Sequence, residues 1–278
     1  LVGSEMCIRD RLMATSAFAI LPCGAEHCWP ERFIRGKAPD TCAPSFDAMC
    51  SLYSRELELY PPALLTALGL SELVFCCSLS FDGKPCRDVP DLVAGRLFID
   101  VSDTHERRSR HALHHELWHM ADFAIHGGVI GPGADDSVRG ILVDLDAPDT
   151  EWECHNPPGF CYGDEYGRVG GQHMRTAGVA ELGTAPHENF LNAYATSSLA
   201  EDKAEVWACL VCYPQALARS ATLEAKARIL CSRMNRLCPQ LDAAWWGFVT
   251  WHSGLLCKEW EEEIDVVLST AETHSSRR

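Results

Sequence analysis

Between Ser109 and His126 the chain sets Leu113, Leu117, Met120, Ala121 and Ala124 at helical spacing, and Gly127-Gly128 then ends the run. The stripe predicts a helix with one face on a core. Within it stands His115-Glu116-Leu117-Trp118-His119. Residues four apart on a helix share a face one turn apart, so both imidazoles can reach one metal ion. At about 100° per residue they lie roughly 200–240° round from Leu113, away from the apolar stripe. Glu116, beside them, can take a proton from a water that a metal polarises. These residue types at this spacing point to metal-assisted hydrolysis. The competing reading is a surface helix whose histidines, with His111 and His114, form a solvated charged face.

A catalytic zinc takes three protein ligands and keeps one open position. The metzincin pattern would need Gly at 122 and His at 125. The chain has Asp122 and Ile125 there, which excludes it. His126 reads as a helix-end residue. The better third ligand lies in the run from Tyr194 to Glu205, where Glu201 and Glu205 stand one helical turn apart. One carboxylate can bind the metal while the other accepts a hydrogen bond from a ligating imidazole. Ser198-x-x-Glu201 also reads as a capping box, which would need no metal. That reading leaves Glu205 unexplained within the apolar run Ala204, Val206, Trp207, Ala208 and Leu210.

An HExxH helix followed at a distance by E-x-x-x-E resembles the gluzincin metallopeptidases. Tyr194, seven residues before Glu201, and the run Glu201-Asp202-Lys203-Ala204-Glu205 resemble the lethal-factor-like and related zinc-binding metallopeptidase families. The resemblance implies an α+β, zincin-like fold, with a small sheet packed on the active-site helix and a more helical C-terminal half. It implies Zn2+ held by His115, His119 and Glu201. Glu116 would be general base and then proton donor to the leaving group. Glu205 would hold a ligating imidazole. Tyr194 would donate a hydrogen bond to the oxyanion, or be simply a half-buried aromatic. The substrate would be a peptide or protein, lying along the sheet edge as an added strand. Two alternatives stay open: a zinc hydrolase of non-peptide amides, and a protein-interaction module with a vestigial or structural zinc site.

Composition narrows the setting. A net charge of −15 argues against nucleic acid or an anionic membrane as partner, since both select basic surfaces. No run of 18 apolar residues suggests a transmembrane helix. Fifteen cysteines is a high count for 278 residues. Cys209, Cys212, Cys231 and Cys238 could form a second zinc site, but their spacing favours small buried thiols on helices. The compartment stays open, with a lean to reducing cytoplasm.

Leu1 to Arg11 resembles a translated sequencing-adaptor fragment and is set aside from the fold reading. Residues 12–269 read as a single domain, and 270–278 as a disordered tail. Residues 45–70 read as helical with a break at Tyr60-Pro61-Pro62. Leu73 to Phe81 and Leu97 to Val101 read as strands. Helices follow from Leu199 to about Pro214 and from Thr222 to Leu237, and Trp245, Trp246, Phe248 and Trp251 suggest a final packed segment. The long connection at 127–190 is expected to form a cleft wall or lid.

Overall fold

The computed structural model describes residues 19–23, 34–40, 44–126 apart from 82, 93, 103 and 104, then 148–163 and 187–258. The stretch from Leu1 to Arg11, most of the 127–190 connection and the tail lie outside the described residues. The elements in chain order are β1 (Ala19–Pro22), β2 (Ile34–Lys37), α1 (Pro44–Leu57), α2 (Pro62–Ala67), β3 (Glu72–Phe81), β4 (Lys84–Pro85), β5 (Asp88–Asp91) and β6 (Arg96–Asp100). Then come α3 (Glu106–Ile125), α4 (Thr150–Glu153), α5 (Leu199–Cys212), α6 (Ala221–Leu237) and α7 (Ala243–Lys258). Short 3₁₀ turns at Tyr194–Thr196 and Pro214–Arg219 flank α5. The class is α+β, as expected.

The sheet runs β1-β3-β6-β5. The first three strands are parallel, and β5 lies antiparallel at the edge. Beyond Cys76 the partners of β3 change to β2 and β4, both antiparallel. Ser78, at φ 55°, sits at that change. Alternation along β3 and β6 sorts the side chains. Leu73, Phe75, Leu97 and Ile99 face the helices, whereas Val74, Cys76 and Phe98 face a smaller core with Cys23, Ile34, Leu79 and Val89. Adjacent Cys76 and Cys77 therefore differ: Cys76 is buried and Cys77 half-buried.

Helix α3 is buried continuously from Ser109 to Asp122. It starts three residues earlier than the apolar stripe suggested, because Glu106 suits a helix N-terminus and pairs with Arg55 of α1 at 2.7 Å. Trp118 of α3 packs on Trp207 of α5, with ring centroids 5.6 Å apart. Lys203 of α5 reaches Asp122 of α3 at 3.3 Å and Asp149 at 3.0 Å. At the far end of the chain the expectation of packing fails in part. Trp245 is buried, but Phe248 and Trp251 are exposed, at 46% and 60%. Among the described residues, no helix is long and apolar enough to cross a membrane.

The described part of the long connection, 148–163, forms no wall of the cleft discussed below. It packs instead behind α5. Trp152 Nε1 and the Tyr162 hydroxyl both donate to Asp202, and Arg233 of α6 clasps Asp149 at 2.6 Å. The lid expectation now concerns only residues outside the described ones.

Candidate metal centre

Helix α5 begins at Ser198, whose hydroxyl accepts the Glu201 N–H at 3.2 Å. The cap and the ligand readings of Glu201 are thus compatible. Its backbone is capped, while its carboxylate turns to α3. Glu201 Oε2 lies 2.8 Å from His115 Nε2 and 3.7 Å from His119 Nε2, and the two Nε2 atoms are 3.1 Å apart. Neighbouring Asp202, about 100° round the helix, points away to Trp152, Tyr162 and Lys226.

A tetrahedral ion with bonds of about 2.0–2.1 Å sets its ligand atoms roughly 3.3 Å apart. The three observed separations bracket that value. Two nitrogens and one carboxylate oxygen also form a donor set used by catalytic zinc. The polar bookkeeping agrees. Among the described residues, buried Glu116 Oε2 accepts no hydrogen bond, whereas Glu201 Oε2 is held by its ion pairs with His115 and His119. An orphaned buried oxygen is costly, and a bound cation with its water would satisfy it.

Glu205 shows the contrast. It is buried and fully engaged. Asn192 Nδ2 donates to it at 2.6 Å, His115 Nδ1 lies at 2.9 Å and His111 Nε2 at 3.2 Å from both oxygens. A carboxylate on Nδ1 leaves the His115 Nε2 lone pair for a metal. The atoms of His115, Glu116 and His119 lie close enough to hold an ion, as do those of His111, His115 and Glu205. The hydrogen bonds already account for the second group, so the Glu201 side is the better metal position. Sequence reading missed His111 and Asn192. His111 stands four residues before His115, so its spacing was a signal; Asn192 had none.

Tyr194 is half-buried at the 3₁₀ turn before α5. Its ring stacks on His115 with centroids 6.0 Å apart, and its hydroxyl shares a hydrogen bond with Glu201. His126 stands apart. It closes α3, with Nδ1 at 2.8 Å from the Asp122 carbonyl. The alternative of solvated histidines fails, since His111, His114, His115 and His119 are all buried. Among the described residues, no cysteine joins a candidate metal-holding group; Cys209, Cys212 and Cys238 are buried free thiols and Cys231 is half-buried.

The electrostatics favour positive charge at this point. Burial opposes protonation of His115, yet Glu201 and Glu205 overcome it and hold its pKa well above the usual range. Burial also raises Glu201 and Glu205, but the histidines more than offset it and hold both below the carboxylate range. Glu116 moves the other way. Burial raises its pKa above the usual carboxylate value, against the pull of His119 and His115.

Glu116 and His115 open onto a small cleft, about 490 Å³ including its mouth, shared with Cys86, Arg87, Asp88, Ala112 and Tyr194. The cleft lies between α3 and the β5 edge. Burial, then the charges of Asp88 and Glu116, push the Cys86 thiol up to about 12, so it is no nucleophile. Comparison of the chain with protein-family models, with curated proteins and with solved structures returns no match.

Behind α3 a second polar group anchors the helix. Glu56 of α1 forms an ion pair with Arg110 at 2.8 Å and meets His114 Nε2 at 3.2 Å, while the Tyr60 hydroxyl meets His114 Nδ1 at 2.7 Å. Burial would raise the Glu56 pKa, but His114, His252 and Arg110 hold it far below the usual carboxylate range. No part of this group lines the cleft.

Proposed function

We propose that the chain is a zinc-dependent hydrolase with a zincin-like active site, acting on peptide bonds. The observation that carries this reading is the meeting of His115 Nε2, His119 Nε2 and Glu201 Oε2 beside buried Glu116, whose Oε2 accepts no hydrogen bond among the described residues. His115, His119 and Glu201 would hold the ion, and Zn2+, when bound, supplies a Lewis acid that polarises water and a carbonyl. Glu116 takes the proton of the attacking water and passes it to the leaving amine. Its raised pKa suits both halves of that exchange. Glu205 orients His115, and His111 and Asn192 orient Glu205. Tyr194 stands over the same ligands, where its hydroxyl can turn to a developing oxyanion. Peptide is favoured over small amides by the antiparallel edge strand β5, which borders the cleft and can receive an extended chain.

The deciding experiment measures zinc and turnover together. In Glu116→Gln zinc content should stay near one per chain, while hydrolysis of a peptide library falls by at least ~100-fold. In Glu201→Ala zinc itself should be lost. Unchanged turnover in the first variant, or undiminished zinc in the second, rejects the reading.

A further inference from the structure

Among the described residues, Asp88 lines the cleft beside Glu116 and has no part in the roles assigned above to Glu116, Glu201 and Glu205. Its side chain is only 8% exposed, and among the described residues Oδ1 accepts no hydrogen bond. Arg87 Nε stands 3.9 Å away, a loose ion pair without a hydrogen bond, and Arg87 Nη2 donates to Ser109 Oγ at 2.8 Å. A buried carboxylate oxygen without a donor is expensive unless something supplies one.

Its place on the edge strand gives the missing donor a route. The Asp100 N–H donates to the Arg87 carbonyl at 2.6 Å, and Asp88 opposes Ile99 at the next register position. Antiparallel alternation turns the backbone groups of Asp88 and Pro90 outward. Pro90 has no N–H, so within β5 only Asp88 offers an outward N–H and carbonyl together. A chain laid along β5 pairs with Asp88, next to the Asp88 carboxylate and on the side of Glu116.

We infer that Asp88 forms a subsite for a cationic group of the substrate, a protonated amine or guanidinium, beside the bond to be cut. The inference rests on reading the cleft as a hydrolase cleft, and it narrows the substrate to chains bearing positive charge at that position. Two sources carry such a group: a free α-amino terminus, and a lysine or arginine side chain. A charge-assisted hydrogen bond to Oδ1 satisfies the orphaned oxygen in either case.

The test reads binding, separately from turnover. Leucinol carries an α-amine, butylguanidine an arginine-like head, and N-acetyl-leucinol is the neutral control. Each is titrated calorimetrically into the full chain with its metal, as wild type, Asp88→Asn and Asp88→Glu. One cationic probe should bind at least ten-fold more tightly than the control. That advantage should vanish in Asp88→Asn and return in part in Asp88→Glu. Which probe wins identifies the source. Cationic probes that bind wild type no better than the control overturn the inference, as does an advantage kept in Asp88→Asn. So does a variant that slows every peptide alike with probe binding intact, since Asp88 would then serve only the Glu116 proton. Cation binding that persists while Glu116→Gln turns over peptides as fast as wild type sinks the hydrolase reading and leaves the subsite standing.

Discussion

Glu205 meets three side chains, His111 and His115 of α3 and Asn192 before the 3₁₀ turn, and it lies at the inner wall of the cleft. Its work is to hold the His115 ring in one orientation and tautomer. Removing its charge while keeping its shape should weaken zinc affinity about 10–100-fold. Competition of Glu205→Gln against a chelator of known affinity measures this; an unchanged dissociation constant would mean the ring is held by packing alone. The ligand residues were readable in the sequence because a helix repeats every 3.6 residues, so His115 with His119, and Glu201 with Glu205, announce a shared face. Asp88, Asn192 and Glu56 carried no such signature. Each becomes significant only through a partner more than ten residues away, and spacing along the chain records nothing of that.

At the scale of elements, long periodic segments were legible and short ones were not. Helices α3, α5 and α6 and strands β3 and β6 stand within a few residues of their sequence boundaries. Strands β1, β2 and β5 have four residues each, too few to show a period. Asp88-Val89-Pro90-Asp91 even looks unlike a strand, since proline breaks a ladder; it is tolerated because β5 is an edge. The turn leading into β6 depends on another element. Gly95, at φ +68°, sits so close to Gly69 that an added Cβ would lie 2.1 Å from the Gly69 carbonyl oxygen. Gly95→Ala therefore meets a backbone that cannot yield cheaply. The left-handed conformation alone costs about 1–2 kcal/mol, and the collision adds to it. A urea titration should show a lowered midpoint with unchanged slope, whereas a neutral result would show that the turn can move.

For the whole molecule, charge buried between elements sets the acid limit. Asp149 is clasped by Arg233 at 2.6 Å and Lys203 at 3.0 Å, joining the segment before α4 to α5 and α6. Burial raises its pKa, but Arg233 and Lys203 more than offset this and hold it well below the ordinary value. A depressed carboxylate contributes fully above its unfolded pKa of about 3.9, and the contribution fades as pH falls towards the folded value. Asp149→Asn should thus cost about 1.5–3 kcal/mol at pH 7, the usual worth of charge-assisted hydrogen bonds, since Lys203 keeps Asp122 and Arg233 keeps Glu151. The deficit should shrink below about pH 4. Denaturation curves at pH 7 and pH 3 test the sign: a deficit that grows in acid would refute it.

The double anchoring of α3, by Glu201 and Glu205 on one side and Glu56 on the other, bears on how the molecule breathes. Neither set can loosen while the other keeps the helix in register, so α3 has no partial way to open. Its amide protons from Ser109 to Asp122 should exchange with deuterium only through global unfolding. They should remain among the slowest in the chain after chelation, because the Glu56 anchor needs no ion. A helix that exchanges quickly once the ion is stripped would show the reverse, that the cation and not the protein holds the site's shape.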